Sequence, residues 1–158
     1  LWLQSTWEAI VWDDLNTELE IIPSNMMSFL QFKNKYPEGK ILSEETWFFR
    51  NYNQTPYGSY ETDDNLYFPV KNTDKRLPKK ELMYVVPYNG NSYAFIRSEL
   101  WKIGKLEYKI WEESIQITYD EWEITAKKWE RMIPWYVEMW FSWATKHPNS
   151  ENVWLGKR

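Results

Sequence analysis

The chain contains 158 residues, among them 12 Trp, 11 Tyr and 7 Phe, and it has no cysteine. The lack of cysteine excludes disulfides, thiolate catalysis and cysteine-bound metals within these residues. A formal net charge of −4 argues against a protein that binds a nucleic-acid backbone. No apolar run approaches the ~20 residues of a membrane-spanning helix, so we expect no nucleic-acid partner and no membrane span in this chain.

The N-terminal part predicts one strand followed by one helix. Apolar and acidic side chains alternate from Thr17 to Ile22, as in a half-buried strand, and Pro23 ends that pattern. The spacing then becomes that of an amphipathic helix, which Pro37 and Gly39 terminate. The apolar residues of this helix are Met26, Phe29, Leu30, Phe32 and Tyr36.

A polar segment follows this helix. Residues 43–64 are rich in Ser, Asn, Thr, Tyr and Asp, show no lasting period, and predict a long loop or lid. Residues 66–70 predict a short strand, and residues 71–80 form a basic connection that contains proline. The pattern of its cations favours a solvated connector over a nucleic-acid contact. These cations are Lys75, Arg76, Lys79 and Lys80.

Strands dominate the next part of the chain. Two β-rich runs flank Asn89-Gly90, the preferred pair for a type I′ hairpin turn because both central residues need a positive φ. Alternating apolar residues predict two more strands after this hairpin. The four predicted strands are residues 82–88, 91–96, 106–110 and 115–119.

A second aromatic helix is predicted from Pro134 to about Lys146, because proline suits a first helical position and Pro148 lies just beyond. One apolar stripe of this helix faces its own sheet, and a second stripe remains. The residues of the second stripe are Trp135, Met139 and Trp143. We expect that stripe to be an interface, covered either by a missing N-terminal segment or by another protein chain.

The two predicted helices share a pattern at an offset of 111 residues, which we interpret as an internal duplication of a strand and a helix. The matched residues are Ile22-Pro23 with Ile133-Pro134, Lys35 with Lys146, and Pro37 with Pro148. The expected parts are an incomplete first repeat at 1–42, a loop and connector at 43–80, and a second repeat at 81–158.

The expected fold class is α+β, mainly antiparallel β with two short aromatic helices and a long irregular loop. Only the second copy of the helix is preceded by a hairpin. We therefore expect the chain to be either a single domain or the C-terminal part of a larger domain in a longer native protein.

The long loop holds the candidates for ligand binding. Its tyrosines, carboxylates and one arginine have the chemistry to surround a small polar ligand or a hard cation. These residues are Arg50, Tyr52, Tyr57, Tyr60, Asp63 and Asp64. The structural alternative is a lid packed by its own tyrosines. For the wider set of rings, which includes Trp47, Phe48 and Phe49, core packing is favoured over an exposed stacking platform.

Motifs for catalysis and cofactors are missing from the sequence. It has no serine-nucleophile motif, phosphate-binding glycine loop, zinc pattern or dinucleotide fingerprint, and we expect no cofactor and no metal. The only histidine, His147, falls at the end of the final helix, where capping or packing is favoured over metal ligation or catalysis.

Short motifs along most of the chain occur in the order found in a known family. They are Leu1-Trp2-x-Gln4, Glu8-Ala9-Ile10, Leu19-Glu20, Tyr36-Pro37, Arg50-Asn51-Tyr52-Asn53, Phe68-Pro69-Val70, Arg76-Leu77-Pro78-x-Lys80-Glu81 and Trp140-Phe141-x-Trp143-Ala144. In these motifs the chain resembles the bacterial and archaeal proteins catalogued as domain of unknown function family 3179. It departs from the family pattern at Asn51 and Asn53, where the family has Asp and Gly.

The resemblance implies what members of that family typically have, a preceding region with a Cys-Pro-x-Cys motif and often a secretion or lipoprotein signal. It implies no established activity. Our leading hypothesis is a non-catalytic binding or assembly module that works outside the cytoplasm. Two alternatives remain open: an enzyme or redox protein whose reactive cysteines lie upstream, and a carbohydrate-binding module that uses Trp47, Tyr52 and Tyr57.

Overall fold

The computed structural model describes residues 1–3, 8–60, 62–71 and 74–156. The chain forms two compact units, one made of Leu1–Asn25 and Val70–Arg158 and the other of Met26–Pro69. The described residues form three short helices and three mostly antiparallel sheets. The fold is therefore α+β and rich in antiparallel β, as the sequence predicts.

The N-terminal segment forms a small sheet from β1 (Trp2–Leu3) and β2 (Glu8–Ala9). The strand predicted from Thr17 to Ile22 is wrong, because only Glu18 makes a β-bridge, with Glu8. Alternation alone does not make a strand, since a neighbouring strand must supply the hydrogen bonds and the apolar cover. Ile22 is largely exposed for that reason.

The first predicted helix is confirmed as α1 (Phe29–Lys35), shorter at its start than its apolar pattern suggests. Ser28 caps it: its side chain accepts from the Gln31 backbone, and the Gln31 side chain accepts from the Ser28 backbone. Tyr36 ends the helix, and no residue of α1 is buried.

The segment after α1 is irregular. The described residues between 43 and 64 form no helix or strand, which confirms the predicted loop, whereas the strand predicted at 66–70 is wrong. Tyr67 and Phe68 are exposed. A short apolar run forms a strand only when a neighbouring strand pairs with it. Residues 66–70 have no such neighbour, so their β propensity does not produce a strand.

The central hairpin is confirmed as β3 (Leu82–Tyr88) and β4 (Asn91–Ile96), with Tyr88 opposite Asn91. Asn89 and Gly90 have φ values of 49° and 72°, as a type I′ turn requires. Helix α2 (Arg97–Ile103), which the sequence analysis missed, follows β4 and ends at Gly104 with φ 69°.

A four-stranded meander follows α2. Its strands are β5 (Lys105–Ile110), β6 (Glu113–Asp120), β7 (Glu123–Lys128) and β8 (Arg131–Met132), paired in that order. The strands predicted at 106–110 and 115–119 are confirmed, while β7 and β8 were missed. Three two-residue turns join the strands, and the first residue of each, Trp111, Glu121 and Trp129, has a positive φ.

The last predicted helix needs a correction. Its first half is β9 (Tyr136–Met139), which pairs with β3, and only Trp140–Lys146 is helical, as α3. Trp135, Val137 and Met139 alternate with a period of two, so this segment fits a strand as well as a helix, and the open edge of β3 decides the outcome. Strand β10 (Val153–Trp154) then pairs in parallel with β4.

The central sheet, in the order β10-β4-β3-β9, is covered on both faces. One face of the hairpin packs against the meander through Tyr84, Val86, Tyr93 and Phe95. Met83, Val85, Ala94 and Ile96 on the other face pack against Trp140, Trp143 and Ala144 of α3. Because both faces are buried, β3 is apolar almost throughout rather than alternating.

The expected second stripe of the C-terminal helix does not exist as one surface. Trp135 precedes β9 and lies in the core on the meander side, with its ring 5.6 Å from that of Tyr84. Trp143 lies in the core on the α3 side, 5.5 Å from Trp140, and Met139 precedes the helix. That a partner covers this helix stays a prediction. Two residues of the expected interface, Trp135 and Trp143, are buried in the core of this chain.

The basic connector before β3 is not simply solvated. Arg76 forms an ion pair with Asp74 at 2.8 Å, donates to the Ser150 carbonyl at 3.0 Å, and lies 5.2 Å from the Trp140 ring centre. The Trp140 indole in turn donates to the Asp74 carbonyl at 3.0 Å. The hydrogen bond from Arg76 lowers the pKa of Asp74. The connector thus fixes the first residue of α3.

Candidate functional site

The structure brings together only part of the ligand-binding set predicted in the loop. Tyr60 stacks on Tyr67 at 4.2 Å, and the Tyr67 hydroxyl donates to the Tyr57 carbonyl at 3.1 Å. Asp63 accepts a hydrogen bond from the Ser59 hydroxyl at 3.1 Å. These contacts are those of a turn packed by its own tyrosines.

The other predicted loop residues lie outside this turn. Tyr52 shares a hydrogen bond with Thr46 at 3.0 Å. Arg50 is exposed and makes no hydrogen bond or ion pair with a described residue, and Asp64 is also exposed. A ligand role for this set stays a prediction.

The aromatic run in the same loop is exposed. The side chains of Trp47, Phe48 and Phe49 are all largely or fully accessible to solvent. The expectation that these three rings pack in a core is therefore wrong, because the described part of the loop forms no helix or strand that could cover them.

A cleft among the described residues lies elsewhere, at one end of the meander. It has a volume of about 500 Å³, within the usual range of small-molecule sites. It lies between the β3–β4 turn, the start of β6 and the β7–β8 turn. Its polar and aromatic lining, which we call the turn-end cleft, comprises Tyr88, Asn89, Glu113, Lys128, Trp129 and Arg131.

Trp129 forms one wall of the turn-end cleft in an unfavourable conformation. Its φ is 52°, and a non-glycine residue in the left-handed region loses about 1–2 kcal/mol. Trp129 is nevertheless 86% exposed, so burial of its ring does not offset the cost of this backbone conformation. A strained, exposed indole at the rim of a cleft is the kind of outlier from which a functional role is inferred.

An ion pair forms the floor of the turn-end cleft. Lys128 donates a short hydrogen bond to Glu113, whose second oxygen accepts from the Tyr88 hydroxyl at 2.7 Å. The Lys128 ammonium lies 5.6 Å from the Tyr88 ring centre and 5.0 Å from that of Trp129. Both distances are within the range of a cation–π interaction.

The charges of this floor are fixed rather than poised to transfer protons. The hydrogen bond from Lys128, followed by that from Tyr88, lowers the pKa of Glu113. The same bond to Glu113 raises the pKa of Lys128. Glu113 and Lys128 therefore both stay charged at neutral pH. A general acid or base instead needs a pKa near the working pH.

Arg131 gives the turn-end cleft a positive balance. It is exposed and has no ion-pair or hydrogen-bond partner among the described residues. The charge of Lys128 is offset by Glu113, so the lining of the cleft retains the charge of Arg131.

This cleft was not predicted from the sequence, because its residues come from three turns far apart in the chain. One local signal was available: Trp111-Glu112 and Trp129-Glu130 each follow an alternating run and precede another. Tryptophan is not the usual residue of a tight turn, where Asn or Gly is preferred, so both turns depart from the common hairpin pattern.

A second polar cluster packs around α3. Lys146 pairs with Glu138 at 2.7 Å, and Ser142 donates to the same carboxylate at 2.6 Å. Burial raises the pKa of Tyr136 to about 12. Burial, with Lys146 nearby, lowers the pKa of His147, whose ring lies 4.9 Å from Trp143. Because these groups partner one another, we interpret the cluster as structural.

Among the residues that the structure describes, no three His, Asp or Glu side chains are grouped so as to hold a metal ion. None of the described helices is long and apolar enough to cross a membrane.

Comparison with known proteins gives one match. The family described as "Protein of unknown function (DUF3179)" matches residues 1–135, that is, everything from β1 to the segment before β9. No curated protein and no solved structure matches the chain.

Proposed function

We propose that this chain, which belongs to the DUF3179 family of proteins of unknown function, is a non-catalytic binding module that takes its ligand in the turn-end cleft. The observation that carries the proposal is Trp129, exposed and strained beside the ion pair of Lys128 and Glu113. The indole offers a flat apolar face, and the fixed charges beside it orient polar groups of a ligand.

The module acts by holding a ligand rather than by converting it. Its ionisable groups are stabilised in their charged forms, which suits hydrogen bonding and does not suit proton transfer near neutral pH. Work outside the cytoplasm is part of the proposal, and its support is the resemblance to family members that carry secretion or lipoprotein signals.

The test compares two tryptophans that differ only in their place. Trp111 and Trp129 are both exposed, both have a positive φ, and both precede a glutamate in a two-residue turn, but only Trp129 lines the turn-end cleft. Trp129→Asn and Trp111→Asn each place a residue that tolerates this conformation.

Glycan and peptide arrays are probed with the native chain, and the best hit is titrated by calorimetry. We expect Trp129→Asn to abolish that binding and Trp111→Asn to preserve it, with both variants at least as stable as the native chain. Equal binding by the native chain and Trp129→Asn, or silence of both arrays, would contradict the proposal.

A carbohydrate module that uses the loop is a second candidate, because Trp47 and Phe49 are fully exposed. It predicts that Trp47→Ala, and not Trp129→Asn, removes binding to the glycan array. The redox alternative requires reactive cysteines in sequence upstream of Leu1, and the N-terminal sequence of the native protein decides it.

A further inference from the structure

Resting on the proposed function, we infer that the ligand of the turn-end cleft is a sugar that carries a carboxylate, a uronate. Three features of the lining favour this ligand: a stacking face, one uncompensated cation, and fixed acceptors and donors beside them. Each feature selects one part of such a sugar.

The exposed indole of Trp129 favours a ligand that contains a ring. Trp129 is 86% exposed, and the Lys128 ammonium lies 5.0 Å from the centre of its ring. The C–H face of a pyranose carries partial positive charge and packs against an aromatic π face in the same way. A flexible apolar chain would gain less from a single flat ring.

The cation selects a carboxylate. Arg131 has no partner among the described residues, and its planar guanidinium matches a carboxylate through two parallel hydrogen bonds. Glu113 lies in the same cleft, so a ligand with more than one negative charge would be repelled by it. The balance of one positive charge therefore fits a monoanionic group better than a phosphate dianion.

The remaining polar groups select hydroxyls. Glu113 is held in its charged form and accepts hydrogen bonds, while the exposed Asn89 amide both donates and accepts. A sugar ring presents several hydroxyls around its edge, so it can meet these groups while its face contacts Trp129. An apolar carboxylic acid would leave them unused.

The experiment uses the full chain and matched pairs of probes. Short oligomers of galacturonate, glucuronate and mannuronate are titrated by calorimetry next to their methyl esters, which keep the ring and remove the charge. We expect at least one free acid to bind about 10-fold tighter than its ester, which corresponds to about 1.4 kcal/mol. The preference should shrink as salt is added.

Variants separate the parts of the inference. Arg131→Gln should bring the acid and the ester to equal affinity, Trp129→Asn should abolish binding of both, and Trp111→Asn should change neither. An ester that binds the native chain as tightly as its acid overturns the uronate and leaves the binding module standing. If no sugar binds and peptides bind in a Trp129-dependent manner, the uronate is likewise wrong. If nothing binds, both proposals fail.

Discussion

Helix α1 spans Phe29–Lys35 and helix α3 spans Trp140–Lys146, so both bounds coincide at the predicted offset of 111 residues. The two helices also end alike. Tyr36 has φ −124° and ψ 71°, His147 has φ −121° and ψ 63°, and the backbone N–H of each donates to the carbonyl four residues earlier. That this likeness arose by duplication stays a prediction.

Their surroundings differ. Phe29 at the start of α1 is 63% exposed, while the matching Trp140 is fully buried between the connector and the central sheet. A helix of seven residues has little stability of its own, so packing decides how firmly it is held. The two helices thus share their bounds and the geometry of their C-terminal ends, whereas only α3 is held in the core, because the central sheet covers it.

The largest contrast is expected at the central ring of each helix. Trp143→Ala should lower the free energy of unfolding by about 3–5 kcal/mol, because it opens a cavity and frees the Ser92 hydroxyl. Phe32→Ala, its counterpart, should cost about 1 kcal/mol. Urea denaturation of both variants measures the difference, and similar losses would remove the distinction between the two helices.

The matching lysines should give the second contrast. Lys146→Met leaves Glu138, only 9% exposed, without its cation, and we expect a loss of about 2–3 kcal/mol. Lys35→Met should change stability by less than about 0.5 kcal/mol. The double variant Lys146→Met with Glu138→Gln should recover part of the loss, and full additivity in that cycle would contradict the pairing.

The third contrast concerns the helix starts. Ser28→Ala removes the side-chain cap of α1 and should cost about 1 kcal/mol in the local stability of that helix, measured by amide hydrogen exchange. Helix α3 has no side-chain cap, and Trp140 at its start is held by the connector instead. Asp74→Asn weakens the ion pair that holds Arg76 beside the Trp140 ring, so it should loosen the start of α3 and leave exchange in α1 unchanged.

The smallest effect is a pH dependence confined to the end of α3. Burial lowers the pKa of His147 in the folded state, so the unfolded chain binds a proton more readily. The stability that this group contributes is complete above its unfolded pKa, about 6.5, and is lost as the pH falls toward the folded value. His147→Gln should flatten that dependence of the urea midpoint, while Tyr36→Phe should leave it unaltered.

Parts of this fold follow from local chemistry and parts do not. Asn89-Gly90 specifies its turn by itself, and the capping box of Ser28 and Gln31 starts a helix without outside help. By contrast, residues 136–139 carry a pattern compatible with helix and strand, and only the free edge of β3 makes them β9. The predicted strand at 17–22 failed for the opposite reason, because the two-residue strand β2 pairs only with its start, through Thr17 and Glu18.

The candidate site was harder to predict than the fold. Tyr88, Glu113 and Lys128 belong to three different strands, and nothing in their local sequence shows that one hydroxyl, one carboxylate and one ammonium converge. Their meeting depends on the register of two sheets. Sequence reasoning favoured the 43–64 loop because chemically rich residues are adjacent there, yet adjacency in an irregular segment does not bring side chains to a common point.

The passage of the chain from Trp135 to Trp140 has a mechanical consequence. The first indole is anchored on one side of the central sheet and the second on the other, with β9 along the sheet edge between them. Residues 135–140 therefore link the meander layer to the α3 layer, and neither layer can separate from the central sheet without displacing this segment. We expect the two layers to unfold as one cooperative unit, and cleavage of the chain within residues 135–140 to uncouple them.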